Sequence, residues 1–232
     1  LKARFGDKGA GADRQDKVGL ETDAIRPDPL IMDASRTDHG ARDHNTASFL
    51  AGQMLVAMPG IEDPRFERAV LYLCAHDAEQ AMGLAVNRPV EGLTLFELLG
   101  NLGVAPEIEA GGDLVMLGGP VERERGFVLH TDDYSSPDST VPVADGLALT
   151  VTRDALDALG SKLRRPRHAI LALGYSGWGP GQLEQELRDN VWLICEADET
   201  LLFGDDYDNK WTMALAKIGI TADHLSSQAG RA

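Results

Sequence analysis

The side chains here that could break or make covalent bonds are few. Cys74 and His76 lie two apart in LYLCAH, a run that reads as a strand, and side chains two apart on a strand share a face. A thiol beside an imidazole or a cation ionises readily and serves as nucleophile or redox sensor, and Arg68 reaches that side if the strand extends backwards. The competing reading is a small core thiol, because cysteine is among the most buried side chains. His130 ends another apolar run and precedes Thr131-Asp132-Asp133. It reads either as a general base held by a carboxylate or as a solvated loop residue. Arg123 and Arg125 follow Gly118-Gly119-Pro120-Val121, where an arginine can clamp a carboxylate or pair with Glu122 or Glu124.

The glycine-rich stretch from Gly174 to Gly181 falls between a strand and a helix, where phosphate loops and nucleophile elbows occur. No Gly-Lys-Ser/Thr follows, and the glycines at 174, 177, 179 and 181 miss the dinucleotide spacing. Trp178 stands where an elbow around Ser176 needs glycine. Two readings remain for the stretch. The glycines supply positive φ while Trp178 anchors the loop, or free amides bind a carboxylate or phosphate against the opposing charge of Glu184 and Glu186. No C-x-x-C or H-E-x-x-H occurs, and Cys74 with His76 would need His130 or Cys195 to complete a metal site, so neither metal nor cofactor is expected.

The 232 residues suffice for a sizeable core, and 43% are apolar. With 37 acidic against 22 basic side chains the formal charge is −15, which repels phosphate backbones and disfavours direct nucleic-acid binding. The basic cluster Lys162, Arg164, Arg165 and Arg167 follows a predicted helix, whose C-terminal end favours cations. Two cysteines inside apolar runs suit free thiols of a reducing compartment, and no apolar run approaches membrane-spanning length; a soluble cytoplasmic protein is expected.

Residues 1–46 are polar and read as a flexible extension; 47–232 read as one folded domain. Strands are expected over 50–58, 69–75, 82–87, 114–117, 126–130, 147–151, 169–174 and 192–196. A single helical turn is expected over 65–68 and helices over 153–163, 180–188 and 209–217. Thr94-Leu95-Phe96-Glu97 is a capping box that should start a short helix, and 131–146 is a long polar loop. The mixture is α+β with a mixed sheet or partly closed barrel.

Four blocks in order, AMPGIEDPRFERAVLYLCAHDAEQAMGLAVNRP, GGPVERERGFVLH, LGYSGWGPGQLEQEL and the Asn190-Val191-Trp192-Leu193 strand entry, resemble the YqgE/AlgH family. The resemblance runs from about Ser48 onward. It implies a bacterial cytoplasmic α+β protein with a mixed bifurcated sheet, a small closed barrel and surrounding helices. It carries no known reaction, although some members bear the label of transcriptional regulators linked to alginate production. No helix-turn-helix signature supports that label here. The polar motif residues that transfer by position are Arg68, Cys74, His76, Asn87, Arg125, His130, Gln182 and Glu184, and these are expected to line one cleft.

The leading expectation is a non-enzymatic regulator that binds a small ligand or protein partner in that cleft. The alternatives are a thiol-dependent or hydrolytic enzyme using Cys74 with His76 or His130, and a regulator contacting DNA.

Overall fold

Strands β1 (Gln53–Ala57), β2 (Val70–His76) and β3 (Ala81–Ala85) are apolar along almost their whole length, so both of their faces must be covered. The computed structural model describes residues 49–107, 113–137, 139–144 and 146–221, and supplies that cover. The remaining strands are β4 (Pro89–Thr94), β5 (Leu114–Leu117), β6 (Val121–Thr131), β7 (Thr140–Pro142), β8 (Leu147–Thr150), β9 (Ala169–Trp178) and β10 (Trp192–Glu196). The helices are α1 (Leu95–Asn101), α2 (Arg153–Gly160), α3 (Gln182–Arg188), α4 (Glu199–Phe203) and α5 (Lys210–Lys217), with a 3-10 turn at Pro64–Phe66.

Met54, Val56, Val70, Tyr72 and Leu84 pack on one face with Trp211, Ala214 and Leu215 of α5. Leu55, Leu71, Leu73 and Ala85 pack on the other with Phe66, Trp178, Leu183 and Trp192. A third cluster seats α1 and α2 on Val115, Val128, Leu171 and Leu173.

The strand order is β10-β1-β2-β3-β9-β6-β8-β7, with β4 and β5 branching off β9. All pairs are antiparallel except β5 with β9. The early half of β9 takes β5 on one edge (Met116↔Ala172), and its late half takes β3 on that same edge (Gly83↔Ser176), while β6 runs along the other. The sheet therefore bifurcates along β9 and curls into a half-barrel surrounded by helices, the α+β class expected.

Gly118 and Gly119 carry the chain from β5 to β6 across β9. A Cβ on Gly118 would sit far inside the radius of the Gly174 carbonyl oxygen, and one on Gly119 would overlap the Tyr175 carbonyl. Gly174 itself has φ 71. Only glycine lets three backbones cross this closely. The stretch 174–181 is thus not the expected loop: it stays in β9 as far as Trp178.

The capping box forms as expected, with Thr94 Oγ1 accepting from Glu97 N and Glu97 Oε2 accepting from Thr94 N. Unforeseen are β4, β7 and α4; β7 orders the middle of the expected polar loop by pairing Val141 with Leu149. The expected extension 1–46 lies outside the described residues. Among the described residues no helix is long and apolar enough to cross a membrane.

Candidate functional site

His76 closes β2, and its ring is 4% exposed. The backbone N–H of Leu50 donates to Nδ1 at 2.9 Å, so the proton sits on Nε2, which donates to Glu184 Oε1 at 2.9 Å. Phe49 meets the ring edge-to-face at 5.4 Å. The imidazole ties the start of the body and α3 to the end of β2, with both nitrogens committed.

Cys74 does not share that face. A register shift between Leu73 and Ala75 puts a bulge into β2. Cys74 and Ala75 both pack with the α5-side core, while His76 turns toward α3. One extra residue in a strand reverses the alternation behind it, which is why the two-apart rule fails here. Cys74 is 7% exposed, its thiol approaches only Tyr72 O (3.8 Å) among the hydrogen-bond acceptors of the described residues, and burial pushes its pKa far up.

Asn87 clamps the opposite end of β2. Its Oδ1 accepts from Val70 N and its Nδ2 donates to Arg68 O, each at 2.9 Å. Arg68 has φ 54, a left-handed geometry costly for a side-chain-bearing residue, and Asn87 fixes it. The Arg68 guanidinium lies over Trp211, 5.5 Å from the ring centroid.

His130 is fully buried. Its Nδ1–H donates to Thr131 O (2.8 Å), so Nε2 accepts from the Thr150 hydroxyl (2.9 Å), which in turn lies 2.8 Å from Thr140 Oγ1. Burial lowers its pKa, keeping the ring neutral at physiological pH. It ties β6 to β8, and through the Thr150 hydroxyl to β7, rather than serving as a solvated base. Arg125 donates to Glu122 Oε2 (3.0 Å) and stacks on Phe127 (5.5 Å).

The eight residues do not meet in one cleft. His76 pairs with Ala81 and Ala81 with Trp178, while His130 pairs with Ala169. These are the two ends of the ten-residue β9, on the order of 30 Å apart in an extended strand. Arg68 with Asn87 and His76 with Glu184 flank the two ends of the seven-residue β2, roughly 20 Å apart. Arg68 and Asn87 meet at one end, and His76 and Glu184 at the other, where Gln182 shares α3 with Glu184.

Beside them lies a carboxylate whose role was not foreseen. Glu186, 7% exposed, accepts from Trp178 Nε1 and Trp192 Nε1 on one oxygen (both 2.8 Å) and from Gln182 Nε2 on the other (3.0 Å). The signal in the sequence was two tryptophans near one α3 segment, since a buried indole N–H requires an acceptor. Gln182 also accepts from Gly179 N (3.1 Å), which seats α3 at the end of β9.

A concave surface lined by cations lies elsewhere, where the sheet branches. A cavity of about 240 Å³ is lined by Arg65 and Phe66 of the 3-10 turn, Ala85, Arg88, Leu117, Gly119, Pro120 and Arg123. Asp63 caps the turn by accepting from Arg65 N (3.0 Å) and chelates the Arg65 guanidinium, whose hydrogen bonds hold the carboxyl below its usual range. Arg88 donates to the carbonyls of Arg65 and Glu67, so its charge meets neutral acceptors in its hydrogen bonds. Arg123 forms no ion pair with the described residues, and the Gly119 N–H has no backbone partner among them. Three arginines and Gly119 thus line one hollow together with Phe66, Leu117 and Pro120. Of these, only Arg123 is legible from the sequence as an anion clamp; Arg65 and Arg88 sit inside the first family block, where nothing marks them for anion binding. Among the described residues no cluster of His, Cys, Asp or Glu could hold a metal.

The AlgH-like family model, DUF179, matches residues 54–223. A UPF0301 protein of Caulobacter vibrioides is 76% identical over 190 residues, covering 82% of this chain and 97% of its own. One from Nitrobacter hamburgensis is 50% identical over 214 residues, covering 89% and 97%. The solution structure of AlgH from Pseudomonas aeruginosa superposes with a TM-score of 0.64 at 38% identity, covering 82% of this chain and all of that one. A crystal structure from Corynebacterium diphtheriae, at 19% identity and a TM-score of 0.59, shares the fold. With blocks, branched sheet and relatives in agreement, the chain belongs to the UPF0301/AlgH-like family.

Proposed function

We propose that this chain is a non-catalytic binding protein of the bacterial cytoplasm, a regulator that responds to a small anionic ligand held in the arginine cavity. The observation that supports the reading is the convergence of Arg65, Arg88 and Arg123 on one hollow in a protein of formal charge −15. Such a concentration of cations against the field of the whole chain suits recognition of an anion. The enzymatic alternative loses its parts: Cys74 is a buried thiol with no imidazole among its hydrogen-bond partners, and His76 and His130 have both nitrogens engaged. Direct DNA contact is opposed by the net charge. A regulatory effect would then pass through the ligand, or through a protein partner that senses its binding.

The test is a thermal-shift titration with acetate, inorganic phosphate and benzoate at low ionic strength, on wild type and Arg123→Gln. At least one anion should raise the Tm saturably by a few degrees, the effect should fall away in Arg123→Gln, and the anion should be recovered unchanged. No saturable shift with any anion, or equal shifts in the variant, would contradict the reading.

A further inference from the structure

The cavity has a polar and an apolar side, and this narrows its ligand. We infer that its ligand is a small amphipathic anion: one carboxylate or phosphate group on a compact aromatic or branched apolar body. This rests on the anion-binding reading above and deepens it.

The charged side comes from opposite rims. Arg88 enters from the link between β3 and β4, and Arg123 from the start of β6. Arg65 is already chelated by Asp63, so its guanidinium contributes field more than free donors. The Gly119 N–H lies on the same lining with no backbone acceptor among the described residues. Its backbone is held in place by the close approach to Tyr175 that keeps residue 119 a glycine, which leaves an uncommitted amide at the cavity wall.

The apolar side is equally defined. Phe66 and Ala85, each 2% exposed, back the cavity from the packed core, and the accessible apolar surface comes from the half-buried Leu117 and Pro120. Leu117 and Pro120 continue that wall on either side of the glycine pair. A bare inorganic anion would leave this wall facing water. A volume of about 240 Å³ is smaller than the usual drug-sized pocket and suits a ligand of on the order of ten non-hydrogen atoms. The walls come from both arms of the branched sheet, β3 on one side and β5 and β6 on the other, so the occupant bridges the arms.

Calorimetric titration at low salt with acetate, inorganic phosphate, benzoate, phenyl phosphate and neutral benzyl alcohol tests the assignment on the full chain. Benzoate and phenyl phosphate should bind about tenfold or more tighter than acetate and phosphate. Arg123→Gln, a change at an exposed side chain, should weaken both aryl anions at least about fivefold. Bare anions binding as tightly as their aryl counterparts would overturn this inference and leave the anion reading standing. Benzyl alcohol binding as tightly as benzoate, or no binding by any anion, would overturn both.

Discussion

Glu186 offers the sharpest test of how the α3 region is held. Its carboxylate is 7% exposed and takes three donors, the two indole N–H groups of Trp178 and Trp192 and the Gln182 amide. Glu186→Leu leaves the two buried indole N–H groups facing hydrocarbon and frees the half-buried Gln182 amide. At about 1–3 kcal/mol for each unsatisfied buried group, partly relieved by relaxation, the loss should be about 3–5 kcal/mol. Glu186→Gln keeps the shape and one oxygen for both indoles, but its amide nitrogen then confronts the Gln182 amide. Gln182 cannot simply flip, because its oxygen already accepts from Gly179 N. That variant should lose about 1–2 kcal/mol. Urea titration followed by circular dichroism and tryptophan fluorescence reads both. With a slope of about 2 kcal/mol/M, the midpoint should fall by about 2 M for Leu and somewhat under 1 M for Gln. Native emission should change in the Leu variant, since both indoles lose the same acceptor. The reasoning is refuted if Glu186→Leu lies within about 0.5 kcal/mol of wild type, or if the two variants are equally destabilised.

Other expectations follow from single contacts. Lys210 is 1% exposed, donates to the carbonyls of Val86 (3.0 Å) and Leu202 (2.8 Å), and burial lowers its pKa from 10.5 to about 8. Between those values the unfolded chain binds the proton that the folded chain has released, so this group's contribution to stability rises with pH. The stability of wild type relative to Lys210→Met should grow by about 2–3 kcal/mol from pH 8 to 10.5, and a flat or falling difference in denaturation curves would contradict it. Gly118→Ala should destabilise by more than about 3 kcal/mol or prevent folding, because its Cβ meets backbone at the strand crossing. Gly100→Ala, in α1 with nothing near the new methyl, should instead stabilise by about 0.5–1 kcal/mol in thermal unfolding. Cys74, buried with its thiol pKa raised, should react with an aromatic disulfide reagent only as fast as the protein opens; rapid native-state labelling would reinstate the thiol enzyme.

What the sequence made legible was local. The Thr94–Glu97 cap depends on four adjacent residues, and β10 emerged as expected over Trp192–Glu196 because its ends are marked by its own neighbours. What it hid was set by distant partners. The stretch from Gly174 onward looked like a loop because the reason for Gly174 itself, its close approach to the backbone of Gly119 and Val121, resides some fifty residues earlier in the chain. The bulge in β2 separates Cys74 from His76, and nothing in LYLCAH announces it. Asn87 and His130, expected to line a cleft, instead bond backbone and hydroxyl groups within the fold. The arginine cavity draws on three separated segments, so only its assembly in space distinguishes Arg88 and Arg123 from other charged side chains.

Backbone-amide NMR of the full chain, titrated with benzoate at low ionic strength, addresses the ligand site most directly. The largest saturable shifts should fall on Gly119, Ala85, Arg88 and Arg123, the residues that surround the hollow where the sheet divides. Shifts centred instead on His76 and Glu184, or on Cys74, or spread weakly over the whole surface, would contradict the assignment.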